Sequence, residues 1–119
     1  MMNDSNKILQ LVVKAAAGKR AHNIVAFNMA KIGVLADYFV IMDASNPRQV
    51  KAIANAIIDQ SKKNHVDVLD VEGMSTAKWI LIDLGGVIVH VFKHETRDFY
   101  DLEKLWSDAP EVDVSKWEK

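Results

Sequence analysis

The sequence predicts an α/β domain: a single mixed β-sheet of about five strands with helices packed on it, in the order α-β-β-α-β-β-β-α. Three observations predict it. Two segments with helical periodicity, residues 5–17 and 47–63, bracket two apolar strands. Three more strand-like runs crowd residues 67–92. Gly85-Gly86 joins the last two of these as a hairpin. The chain has 119 residues, half of them hydrophobic, which suits one domain with a real core. Residues 1–119 are therefore read as one unit, with 107–119 as a flexible tail carrying Pro110.

In order along the chain, Ile8, Leu11, Val12 and Ala15 place a buried stripe on the first helix, and Gly18 is its stop. Asn23–Met29 reads as a strand, and residues 31–36 as a connection punctuated by Gly33. Asp37–Asp43 is continuously apolar between two acids, the pattern of a strand covered on both faces. Asn46, Pro47 and Gln49 then start a helix: Asn46 caps, Pro47 suits the first turn, and Gln49 closes a capping box. That helix runs to about Lys63 and buries Val50, Ile53, Ala54, Ile57 and Ile58. Strands follow at Asp67–Glu72, Lys78–Leu84 and Val87–Phe92, then a short helix from about Arg97 to Trp106.

A symmetric turn at Gly85-Gly86 sets Leu84 opposite Val87, Ile82 opposite Val89 and Ile80 opposite Val91, all aliphatic and all on one face. The other face carries Trp79, Leu81, Asp83, Ile88, His90 and Phe92. Such a face is either a second core layer, covered by another helix with His90 satisfied inside it, or a partly open surface where Trp79 and Phe92 await a partner. In the last helix Phe99, Leu102 and Leu105 or Trp106 form the buried stripe, which turns Tyr100 outward.

Composition narrows the function. With 15 basic and 16 acidic residues the net charge is near zero, which argues against coating nucleic acid by charge alone. No cysteine is present, so disulfide scaffolds, thiolate metal sites and cysteine nucleophiles are excluded. The start, Met1-Met2-Asn3-Asp4-Ser5-Asn6, has no signal-peptide character, and no apolar run approaches the ~20 residues of a membrane span. The expected location is the cytoplasm of a bacterium.

Asp70-Val71-Glu72 puts two acids on one strand face, the spacing a two-metal nucleotidyl-transfer site uses on Mg²⁺. The Gly-Ser turn such a site needs for phosphates is missing, which favours a solvated strand end. Asp83 and His90 lie diagonally across the hairpin, but no activated nucleophile accompanies them. His90 and His94 fall in a strand and a turn, a poor frame for a metal.

Four stretches carry a resemblance: Ala36-Asp37-Tyr38-Phe39-Val40-Ile41; Arg48-Gln49-Val50-Lys51-Ala52-Ile53-Ala54; Val71-Glu72-Gly73 followed by Trp79; and Asp83-Leu84-Gly85 through Val89-His90-Val91-Phe92 to Arg97, Phe99-Tyr100, Leu102-Glu103 and Leu105-Trp106. In this combination and order they resemble the ribosomal silencing factor family, RsfS or Iojap, over residues 5 to 110. The resemblance implies a fold related to nucleotidyltransferases but without a working active site, hence no enzyme and no cofactor. It implies binding to large-subunit ribosomal protein number fourteen, which blocks joining of the small subunit and represses translation under nutrient limitation. Organelle relatives assist large-subunit assembly, the alternative role, and several members form homodimers. No membrane partner and no direct nucleic-acid readout are expected. Carried over by position, the partner-binding residues are Trp79 and Tyr100 at the centre, with Asp83, His90, Phe92 and Glu103 in the matching stretches. Asp37 is read instead as the anchor of its own strand. The sequence departs from the family in having Gly85-Gly86 where many relatives have Gly-Asp, and in a tail, Val114-Ser115-Lys116-Trp117, outside the motif.

Overall fold

Helix α1 (Ser5–Gly18) begins where the Asp4 carboxylate accepts the Asn6 N–H at 2.9 Å. It buries Ile8, Leu9, Val12, Val13 and Ala16. The expected stripe through Leu11 and Ala15 is thus turned toward its neighbour row, and both of those residues sit half-buried on the flank. The row 8-12-16 with 9-13 brings Leu9 and Val13 onto the sheet in place of Leu11 and Ala15, a gain of apolar side chain at Val13 and so the better burial.

Strand β1 (His22–Asn28) and the central β2 (Tyr38–Ala44) pair antiparallel. Helix α2 spans Pro47–Lys63 as expected from its signals. Asn46 Oδ1 accepts the Gln49 N–H at 2.9 Å, and the Gln49 side chain reaches back to the Ser45 N–H. The helix buries Val50, Ile53, Ala54 and Ile57; Ile58 is half-buried, and its place deep in the layer is taken by Ser61, whose hydroxyl donates to the Ile57 carbonyl at 2.8 Å.

Strands β3 (Asp70–Glu72), β4 (Trp79–Asp83) and β5 (Val87–Lys93) complete the middle of the chain. β4 and β5 pair as Trp79↔Phe92, Ile80↔Val91 and Ile82↔Val89, the register the symmetric glycine turn predicts. β5 pairs parallel with β2, and the sheet order is β3-β4-β5-β2-β1-β6, with β6 at Glu111–Val112. Helices α1 and α2 cover one face. Their apolar residues merge there with Val40, Met42, Ile80, Ile82, Val89 and Val91. Each fully buried aliphatic side chain contributes roughly 1.5–3 kcal/mol.

The C-terminal part differs from expectation. The single helix from Arg97 to Trp106 is two, α3 (His94–Tyr100) and α4 (Leu102–Leu105), broken at Asp101 in the left-handed region with φ 46°. The break resets the helical phase, so Phe99 and Leu105 face solvent and Arg97 turns inward. The segment after Ser107, expected to be loose, packs down: Ala109 is buried, Glu111–Val112 adds β6 to the edge of β1, and Val114 enters the core beside a 3₁₀ turn at Ser115–Trp117. β6 makes the sheet six-stranded.

The structure, a computed structural model, describes residues 4–32 and 36–118. The readings of Met1–Asn3 and of Gly33 lie outside the described residues. Asp37 holds its own strand start as expected: its carboxylate accepts from the Ser5 hydroxyl at 2.6 Å and its N–H donates to the Gly86 carbonyl.

Candidate protein-docking face

The sheet face away from α1 and α2 is aromatic. Phe39 and Ile41 of β2, His90 and Phe92 of β5, and Trp79 of β4 share it, because paired residues of neighbouring strands point the same way. Gly73, at φ 90°, lets the preceding loop pass against the Trp79 backbone carbonyl, where any Cβ would collide. The Trp79 indole N–H donates to His90 Nδ1 at 3.1 Å, and its ring lies 4.9 Å from Phe92 and 5.0 Å from Tyr100. Phe39 bridges the other way, 5.3 Å from both His90 and Trp106.

The two readings of this face are both realised, in different places. Phe92 and His90 are buried, as a second core layer would have them, so the expectation that Phe92 waits in the open fails, and His90 is satisfied at Nδ1 but not at Nε2. Trp79 is half-buried, and beyond it the surface opens: Tyr100 is 51 %, Leu105 69 % and Phe99 81 % exposed. The Phe99 and Tyr100 rings meet edge-on at 5.1 Å. The outward turn of Tyr100 agrees with the sequence reading, whereas the exposure of Phe99 and Leu105 does not. The Trp79–Tyr100–Phe99 run is contiguous, and an exposed aromatic patch of this kind is what partner-binding surfaces look like.

Acids share the sheet face. Asp83 shares the face, and its pairing with Asp70, and Leu81 with Glu72, puts both β3 carboxylates on it too. A hydrogen bond with Asp70, then charge repulsion from it, raises the Glu72 pKa above the ordinary carboxylate value. Among the described residues no group of three or more His, Asp or Glu side chains is placed to hold a metal ion. The other candidates for chemistry separate as well. Asp83 accepts the Gly85 N–H at 2.8 Å, tightening the turn, while His90 is engaged by Trp79, so no Asp–His couple forms. His94 lies with Asp43 and Asp98, in a different group from His90.

Beneath the patch runs a buried ionic network that the sequence reading missed. The Arg97 guanidinium, 7 % exposed, donates to Asp43 Oδ2 at 2.8 Å, to the Asn23 carbonyl at 2.7 Å and to Glu103 Oε1 at 2.7 Å. Burial opposes its charge, but hydrogen bonds and attraction from Glu103 and Asp43 outweigh that and raise its pKa above the usual value. Asn23 sits at φ 51° where β1 departs from regular pairing with β2, which aims its carbonyl inward. Glu103, expected to meet a partner, ties α4 to α3 through Arg97. The signals for this network were an acid closing an apolar strand, Asp43, and an arginine just after the strand that pairs with it.

His90 gives the face a pH dependence. Burial lowers its pKa to about 4, so the ring is neutral, and Nδ1 must stay unprotonated to accept from Trp79. The unfolded chain takes up this proton near pH 6.5 and the folded one only near 4. Stability contributed by His90 is therefore whole above the unfolded value and lost as pH falls between the two, on the order of 2–3 kcal/mol. In urea melts from pH 7 to 4, His90→Phe is expected to flatten this slope, and an unchanged slope would place its origin elsewhere.

Comparison with known proteins adds to this geometry. The family described as ribosomal silencing factor during starvation matches residues 2–119. The chain is 44 % identical over 111 residues to a Bacillus subtilis protein named ribosomal silencing factor RsfS, covering 93 % of this chain and 94 % of that one. It is 28 % identical over 102 residues to mouse mitochondrial assembly of ribosomal large subunit protein 1, covering 83 % of this chain and 45 % of the mouse protein. The crystal structure of a Chromobacterium violaceum protein superposes with a TM-score of 0.85 at 32 % identity, over 87 % of each chain. No described helix is long and apolar enough to cross a membrane.

Proposed function

The chain belongs to the ribosomal silencing factor family, and from that premise we propose that it docks on ribosomal protein number fourteen of the large subunit and keeps the small subunit from joining. The observation that carries the reading is the exposed Phe99–Tyr100 surface, continuous with Trp79, on a sheet face that also carries Asp70, Glu72 and Asp83. Aromatic anchors supply affinity at such a surface, and acids on the same face suit a basic ribosomal protein. Trp79 and Tyr100 are the central contacts and Asp83 a further contact. His90 and Phe92 act from below by fixing the Trp79 ring, and Glu103 by holding α4 against α3. Blockade needs only bulk at the subunit interface, so translation is repressed without chemistry. Free in the cytoplasm, two copies pair through the same apolar patch, which neither leaves open to water.

The name of the mouse relative favours a second role in large-subunit assembly through the same surface. Purified protein mixed with separated subunits and run through a sucrose gradient tests the docking. Migration with the large subunit and a reduced yield of joined ribosomes are expected, and protein left at the top of the gradient would refute it. In a deletion strain, failed translational shutdown on starvation marks silencing, and immature large subunits mark assembly.

A further inference from the structure

The near-zero net charge hides a segregation. Residues 4–20 and 46–64, which carry α1, α2 and their ends, hold eight Lys and Arg against two acids. The remaining chain holds seven against fourteen. All eight basic side chains are exposed. The helical layer therefore has a surplus of six positive charges, and the rest of the chain, which includes the acidic docking face, a surplus of seven negative ones.

A groove of about 680 Å³ runs between α1 and α2 in this layer. Lys7, Lys14 and Lys19 line it, no acid does, and Gln10, Gln60 and Asn64 add side-chain amides. Lys7 and Lys14 lie two turns apart along one side of α1, about 10 Å. The floor is Leu11, Ala15 and Ala56, with Gly18 at its end. We propose that this groove is a second binding surface, which holds the phosphate backbone of RNA without reading its sequence.

Charge and lining together select this occupant. Lysines and amides are the groups that contact phosphate and sugar oxygens, and a basic face is the electrostatic footprint of such binding. An amphipathic helix would need apolar anchors, and the floor offers one half-buried large side chain, Leu11. A membrane surface would need exposed large apolar residues nearby, yet those among the described residues, Leu69, Phe99, Tyr100 and Leu105, all lie outside the helical layer. Base readout is still not expected, and the near-zero net charge of the whole chain does not describe this groove, because the basic surplus gathers on α1 and α2.

The test is fluorescence polarisation with a short fluorescein-labelled RNA of arbitrary sequence, single-stranded and as a duplex. Wild type is compared with Lys7→Gln/Lys14→Gln/Lys19→Gln and with Tyr100→Ala. Wild type is expected to bind with a log–log salt slope near −2 on single strands, as three phosphate contacts give. The triple variant is expected to lose at least about tenfold in affinity at low salt, and Tyr100→Ala to bind as wild type. No polarisation change at low salt overturns the proposal, and so does equal binding by the triple variant. Salt-sensitive self-association that the triple variant abolishes, with no RNA bound, would assign the groove to the acidic face of a second copy and also overturn it.

Discussion

Tyr100→Ala is expected to release the protein from the large ribosomal subunit while leaving its fold nearly intact. The side chain is half-exposed, on the last turn of a short helix, and its main contacts are the Trp79 and Phe99 rings. Truncating it leaves no buried polar group behind, so the stability loss should stay below about 1 kcal/mol. As an aromatic anchor at the centre of the patch it should cost about 2 kcal/mol or more in binding, roughly thirtyfold or greater. Trp79→Ala is expected to weaken docking at least as much, but it also empties ring volume over Phe92 and strips His90 Nδ1 of its donor, costing about 2–3 kcal/mol of stability. The pair separates contact from support: gradient sedimentation reads the first and urea melts the second. Full ribosome binding by a folded Tyr100→Ala would remove Tyr100 from the interface and the proposed geometry with it.

Arg97→Met should be the most destabilising single change in the C-terminal third. It leaves the Asp43 carboxylate, 1 % exposed, without its guanidinium and frees Glu103 from α3. Its Oδ1 already has no hydrogen-bond partner, with the His94 and His22 imidazoles 3.4 and 3.8 Å away. Breaking a buried pair on one side costs about 3–5 kcal/mol, which in a domain of this size lowers Tm by roughly 10–20 °C. Replacing both partners, Arg97→Met with Asp43→Leu, should recover most of that loss, because no charge is then stranded. A double variant no more stable than Arg97→Met would show that shape, and not charge, governs the site. Both variants also bear on docking, since Arg97 fixes the helix that presents Phe99 and Tyr100.

What was legible in the sequence was local. The bounds of α2 follow from Asn46, Pro47 and a clean apolar stripe, and the hairpin register follows from Gly85-Gly86. The register in turn is enough to place Trp79, His90 and Phe92 on one face. What was not legible depends on partners distant in the chain. Arg97 and Asp43 are 54 residues apart, and nothing beside Arg97 says that it turns inward. The left-handed Asp101 looks like any helical residue in the sequence, yet it decides that Phe99 and Leu105 are surface. The tail seemed loose because it is polar, but two backbone pairings to β1 and two small apolar side chains suffice to hold it.

The two outer strands have a consequence for how the protein behaves when crowded. β3 is three residues long and two of them are acids; β6 is two residues long and one is an acid. An open sheet normally invites another chain to continue its ladder, and here each border offers only a short stretch of backbone beside negative charge. Growth of the sheet from copy to copy is discouraged at both ends. The apolar patch is thereby left to face-on contacts of limited size, and the sheet borders add no route by which copies extend one another's ladder.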